Sequence, residues 1–190
     1  MSISDWFAQA AKGFDSRDGA QDKAAIERLF RLLGALEWTV RFSTICNLLL
    51  TDRRRPRAQH EDVLGLFAEL AERHSFGSWL QLLELTLRNQ LLHPLTFEDV
   101  QPQALLELVA GLVSRKVVPI RNALIGHGIY DSTGEAYEEA IKTIDPDGEI
   151  WSRWRTEALR IACILDFELE NAGLALSATE PLFKVECDDS

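Results

Sequence analysis

Cysteine, long apolar runs and targeting features are scarce or missing in this chain. Its three cysteines, Cys46, Cys163 and Cys187, lie far apart among 190 residues, which fits neither a disulfide framework nor a zinc-ligand spacing. No apolar run approaches the roughly 18 residues of a membrane-spanning helix. The stretch from Met1 to Asp5 lacks the basic and apolar regions of a signal peptide. We therefore expect a cytoplasmic protein with reduced thiols, no membrane segment and no structural zinc.

Positive charge is also in short supply, with a formal net charge of −10. Proteins that bind long nucleic-acid duplexes normally rely on Lys and Arg to neutralise phosphates, so DNA is not an expected partner. Fifteen of the 20 basic residues are Arg, which forms better phosphate contacts than Lys. Because a local positive cleft can act within an acidic protein, RNA is still a possible substrate.

Several common catalytic patterns are absent from the sequence as well. There is no Gly-rich phosphate loop and no paired-cysteine metal site, and the Ser, His and Asp residues form no recognisable nucleophile motif. Only six prolines and 11 glycines interrupt the chain, so low-complexity sequence is minimal. No cofactor or metal is expected on these grounds.

What the sequence does contain is helical periodicity. The longest pattern can run on towards Leu49, and its apolar residues recur at spacings of three and four. These residues are Ile26, Leu29, Phe30, Leu33, Leu36 and Val40. Similar patterns cover residues 2–14, 60–73, 79–92, 103–116 and 149–176, and a shorter helix is predicted over 135–143. Pro119 is expected near the first turn of a further helix. The prediction is an all-α bundle of five to six substantial helices.

We divide the chain into three parts by composition. Residues 1–19 form an N-terminal helix and loop, in which Trp6 is expected to be the apolar anchor. Residues 20–176 form the helical domain. Residues 177–190 form a C-terminal tail, in which alternation over 182–187 indicates a strand or an edge pairing.

One stretch, Val117 to Tyr130, differs from the ordinary amphipathic helices. It places Arg121, Asn122 and His127 inside an otherwise apolar run. Polar groups in such a run must pair, reach a cleft or meet a partner. A guanidinium can hold a phosphate through forked hydrogen bonds, and an imidazole can transfer protons near neutral pH. These are the two minimal functions needed to cleave RNA.

Asn122 follows Arg121 directly, five residues separate Arg121 from His127, and Gly128 follows His127. This arrangement resembles the motif of the HEPN family. Its members are small helical domains, mostly prokaryotic, and many are metal-independent endoribonucleases of toxin–antitoxin, phage-defence and CRISPR systems. The resemblance implies an HEPN-like bundle over roughly residues 20–176. It also implies a homodimer, or a pair with another helical chain, in which two motif helices face each other across a shared cleft.

The same resemblance implies a mechanism in which the RNA 2′-hydroxyl attacks its own phosphorus. His127 would act as general acid or base, and Arg121 would hold the phosphoryl oxygens as their charge builds. Asn122 would orient His127 or the phosphate. The products would carry a 2′,3′-cyclic phosphate and a free 5′-hydroxyl.

Two alternatives remain open. Arg88 and His93 form a second match with four intervening residues, but Pro94 follows His93 where Gly is common, so the later match is preferred. Arg121 could instead pair with a carboxylate, and the chain would then be a non-catalytic HEPN-like scaffold or adaptor of a larger defence complex.

Overall fold

The computed structural model describes residues 1–15, 25–54, 75–92, 102–126 and 134–172, and these residues are almost entirely helical. The helices are α1 (Ile3–Asp15), α2 (Ala25–Arg54), α3 (Phe76–Leu92), α4 (Pro102–Ser114), α5 (Val117–Arg121), a π-helix (Asn122–Gly126), α6 (Gly134–Ile144) and α7 (Ile150–Asn171). No strand occurs in these ranges, so the all-α class is confirmed for them. The predicted helix over 60–73 and the tail strand over 182–187 lie outside the described residues.

The longest helix, α2, is the centre of the bundle. It packs against α1, α3, α6 and α7, so most of its circumference is covered. Its leucines at 29, 33 and 36 are buried and join one core cluster with apolar residues of the other long helices. None of the described helices is both long and apolar enough to cross a membrane.

Four polar side chains are fully buried on α2, and most satisfy their hydrogen bonds inside the helix itself. Thr39 donates to the carbonyl of Ala35 at 2.7 Å, and Thr44 donates to that of Val40 at 2.7 Å. The Asn47 amide donates in the same way, four residues back along the helix. These three groups bond locally as α2 crosses the core, whereas the buried Ser43 hydroxyl has no hydrogen-bond partner among the described residues.

Helix α1 packs across α2 and α7 through an aromatic cluster. The Phe7 ring is fully buried, 4.4 Å from the ring of Phe42 and 5.0 Å from that of Trp38 between centroids. Trp6, predicted as the anchor of this helix, is 45% exposed. Phe7 is therefore the anchor of α1. The face of α1 that packs on the bundle includes Phe7, which lies about 100° around the helix from Trp6.

The N-terminus of α1 is held by a single carboxylate from the far end of the chain. Asp166 of α7 accepts the backbone N–H groups of Ile3 at 2.7 Å and Ser4 at 2.9 Å, and the Ser4 hydroxyl at 2.5 Å. A carboxylate at this position bonds otherwise unsatisfied N–H groups and also opposes the positive end of the helix dipole. Asp166 therefore connects α1 to α7.

Replacing Asp166 by alanine is expected to lower the free energy of unfolding by about 2–3 kcal/mol, because charge-assisted hydrogen bonds to three donors are lost. Urea denaturation followed by circular dichroism measures this loss. The matched control is Glu170→Ala, which removes an exposed carboxylate from the same helix. Equal midpoints for the two variants would show that Asp166 does not hold α1 in place.

Burial differs from the periodic prediction at several places. Ile26 and Phe30, predicted on the apolar stripe of α2, are 38% and 47% exposed, and Val113, an apolar residue of the pattern over 103–116, is 56% exposed. The two cysteines among the described residues have different environments, because Cys163 is exposed and Cys46 is buried. Burial raises the pKa of the Cys46 thiol to about 12, so it stays protonated at neutral pH.

Candidate functional site

Helix α5 begins at a sharp turn that sets its direction against the bundle. Lys116, directly before it, has a left-handed backbone with φ of 54°, and its N–H donates to the carbonyl of Val113 at 3.0 Å. Val117 is fully buried. Pro119 is the third residue of the helix, as predicted, and leaves no N–H unsatisfied there. The turn and the buried Val117 together bring Arg121, the last residue of α5, beside the central helix.

The Arg121 side chain lies at the boundary between α5 and α2 and is 30% exposed. One of its terminal nitrogens donates to Oε2 of Glu37 at 3.4 Å, and the other donates to Oδ1 of Asn122 at 3.3 Å. Charge-assisted hydrogen bonds of this type are usually near 2.8 Å, so both contacts are long. Arg121 is thus oriented by Glu37 but only loosely bound to it, and part of the guanidinium faces solvent.

The helix changes type at the residue after Arg121. Residues Asn122–Gly126 form a π-helix, whose hydrogen bonds span five residues instead of four. Asn122 is exposed, and Leu124 packs against the core. His127 follows this segment and lies outside the described residues. The structure therefore brings Arg121 and Asn122 together at the surface and provides no position for His127.

Glu37 also has a second cationic partner. Its Oε1 accepts a hydrogen bond from Arg41, four residues on along α2, while Oε2 accepts from Arg121. The Arg41 guanidinium lies over the indole of Trp79 in α3, 5.7 Å from the ring centroid, which is the distance of a cation–π contact. We call Glu37, Arg41, Trp79, Arg121 and Asn122 together the Arg121 site.

The electrostatics of the Arg121 site differ from those of the whole chain. Two guanidiniums share the Glu37 carboxylate, within a protein whose formal net charge is −10. The Glu37 side chain is only 18% exposed, which weakens solvent screening of its two ion pairs. Two neighbouring guanidiniums can also bind phosphate oxygens through hydrogen bonds.

Glu37 and Arg41 were not recognised from the sequence. Their signal was present, because a Glu and an Arg four residues apart interrupt the apolar pattern of α2 on one helical face. Such pairs are common on solvated helices, so spacing alone did not distinguish this one. The link to Arg121 crosses 84 residues of chain and depends on the packing of α5.

The second motif match has a different environment. Arg88 donates twice to Oε1 of Glu84 in the same helix, at 2.9 and 2.7 Å, and its side chain is 64% exposed. His93 lies outside the described residues. An exposed pair within one helix stabilises that helix slightly. This difference favours Arg121 over Arg88 as the site arginine.

The structure also has a cleft of about 290 Å³ between α4 and the start of α7, whose charged lining residues are Glu107, Arg115, Arg153 and Glu157. None of the residues of the Arg121 site lines it. Arg115 donates to the carbonyl of Ile144 at 2.9 Å, and Arg153 pairs with Asp147 and Glu149. Its arginines therefore make structural contacts at the ends of α6 and α7.

Comparison of this chain with models of protein families, with curated proteins and with solved structures finds no match.

Proposed function

We propose that this protein is an HEPN-like, metal-independent endoribonuclease, the effector of a prokaryotic defence or toxin–antitoxin system. The observation that supports this most is the change from α- to π-helix at the motif, with Arg121 and Asn122 at the surface on either side of the change. π-helical segments are rare and occur frequently at functional sites. A purely structural arginine would require no such interruption of the helix.

The proposed reaction assigns one task to each motif residue. Arg121 holds the non-bridging oxygens of a phosphodiester and stabilises the charge that develops when the 2′-hydroxyl attacks phosphorus. His127 transfers the proton, removing it from the 2′-hydroxyl or delivering it to the departing 5′-oxygen. Asn122, already in contact with Arg121, orients the guanidinium or the phosphate.

The proposal includes a homodimer, because one copy of the motif offers few contacts to RNA. A candidate contact surface is the outer face of α2, which borders the Arg121 site. Five of its residues recur at spacings of four or seven positions within about 100° of the helix circumference, namely Ile26, Phe30, Gly34, Arg41 and Ile45. Three of them are large apolar side chains at least 38% exposed, and a Cβ at Gly34 would meet no atom within 4 Å. A two-fold contact here would bring two copies of the site together.

Replacing Phe30 by glutamate is expected to convert the dimer into a monomer, because two buried charges would oppose each other near the two-fold axis. Size-exclusion chromatography with light scattering measures the mass of each variant. Phe167→Glu is the control, since Phe167 is 54% exposed on α7 rather than on α2. A wild-type chain that is monomeric at micromolar concentration would contradict the proposed assembly.

The function itself is tested by incubating single-stranded RNA with the protein in EDTA and analysing the new ends. We expect 2′,3′-cyclic phosphate and 5′-hydroxyl ends from the wild type and none from His127→Ala. An RNA with 2′-O-methyl riboses is the substrate control, because it has no attacking hydroxyl. Cleavage that survives in His127→Ala would contradict the assigned mechanism.

A scaffold function is the second candidate, and it is favoured by the ion pair between Arg121 and Glu37, which is complete within one chain. In that case Arg121 holds α5 against α2 and has no substrate. The cleavage experiment distinguishes the two functions. Intact RNA with the wild type, alone and with proteins encoded beside it, supports the scaffold.

A further inference from the structure

We infer that Arg41 is a second phosphate-binding residue of the Arg121 site, and that Glu37 occupies the phosphate position when RNA is absent. The inference rests on the proposed RNA substrate and adds to it a specific mode of binding. It concerns described residues only and does not depend on where His127 lies.

The two arginines meet at the carboxylate of Glu37. Arg41 bonds one oxygen of the Glu37 carboxylate and Arg121 bonds the other. A phosphodiester also presents two non-bridging oxygens on one central atom, with negative charge shared between them. Two guanidiniums arranged around a carboxylate are therefore arranged to take one oxygen each from a phosphodiester.

The Arg41 side chain is held in place but is not fully buried. Its guanidinium lies over the Trp79 indole at 5.7 Å, and its side chain is 40% exposed. The cation–π contact limits the conformations of a long side chain, which lowers the entropy lost when an anion binds. Solvent can still reach the guanidinium, so an RNA phosphate can approach it.

RNA must replace the two contacts of Glu37, and the one to Arg121 is weak. The Arg121–Glu37 contact is 3.4 Å long, and Glu37 is still 18% exposed. A long ion pair is more easily exchanged for a new anion than a short bidentate one. The Glu37 carboxylate would then compete with RNA for the two arginines, and removing its charge should strengthen RNA binding.

The test measures equilibrium binding of a fluorescent, 2′-O-methylated single-stranded RNA by anisotropy, because this probe cannot be cleaved. Arg41→Ala is expected to weaken binding by about 10- to 100-fold, the equivalent of one hydrogen-bonded charge contact. Arg41→Lys should fall between Arg41→Ala and the wild type, since it keeps the charge but not the fork. Glu37→Gln should strengthen binding severalfold. In Arg41→Ala, the slope of the logarithm of the binding constant against the logarithm of salt concentration should also be smaller in magnitude by roughly 0.7, which corresponds to one lost phosphate contact.

The matched control is the pair formed by Glu84 and Arg88. It has the same residue types and the same spacing of four, but it lies on the exposed surface of α3. Arg88→Ala and Glu84→Gln should bind the probe like the wild type. Thermal melting of Arg41→Ala checks that the bundle remains folded, and Arg41→Lys gives a second measurement if it does not.

The outcomes separate this inference from the proposed function. Binding by Arg41→Ala equal to that by Arg88→Ala overturns the inference, even when unmodified RNA is cleaved and His127→Ala is inactive. No binding of the probe by the wild type overturns it as well. Loss of binding in Arg41→Ala together with no cleavage of any RNA retains the anion site and contradicts the nuclease.

Discussion

Replacing Arg121 by alanine is expected to lower RNA cleavage in EDTA by about 10²- to 10³-fold, the usual effect of removing one group that stabilises developing charge. The reason is its position, 30% exposed at the end of α5 with Asn122 beside it. The loss should appear mainly in kcat, because the charge on the phosphoryl oxygens is greatest in the transition state. Initial rates over a range of RNA concentrations separate kcat from KM.

Arg88→Ala is the control for this experiment, since it removes the arginine of the second motif match. Its side chain is 64% exposed and pairs with Glu84 of the same helix, so we expect cleavage within about twofold of the wild type, as for most surface substitutions. A large loss in Arg88→Ala with little loss in Arg121→Ala would show that the earlier match is the functional one.

Replacing Trp154 by alanine is expected to destabilise the fold by about 3–5 kcal/mol, the range for truncating a large buried aromatic residue. Trp154 lies on α7, is completely buried and belongs to the main core cluster. Its removal would leave a cavity between α7 and the helices packed against it. Denaturant unfolding followed by circular dichroism at 222 nm gives the loss, and it does not depend on tryptophan emission.

Two further substitutions make the Trp154 result specific. Trp6→Ala removes the same side chain where it is 45% exposed, so it should cost clearly less. Trp154→Phe keeps an aromatic ring and removes an indole N–H that has no hydrogen-bond partner in the described part of the chain, so its cost should stay below about 1.5 kcal/mol. Equal losses for Trp154→Ala and Trp6→Ala would contradict the buried position of Trp154.

Periodicity predicted the helices well because it is a local property. Side chains three and four positions apart share a face in any α-helix, and Leu80, Leu83 and Leu87, which have these spacings within the pattern predicted over 79–92, are all buried. The same rule placed Ile26 and Phe30 on the inner stripe of α2, where the structure leaves them exposed. Periodicity identifies the residues of a face, but only the neighbouring helices determine which part of that face is covered.

The candidate site shows the same division. The amino-acid sequence is enough to show that Arg121, Asn122 and His127 are close along the chain and that the net charge is negative, and its periodicity predicts helices. Only the packing of the helices fixes which residues form the Arg121 site, because Glu37 is 84 positions from Arg121 and Trp79, which contacts Arg41, belongs to a third helix. Pairing across such distances depends on the packing of α5 and α3 against α2. Asp166 illustrates this most clearly, since it bonds the N–H of Ile3 from 163 residues away and no local pattern relates the two.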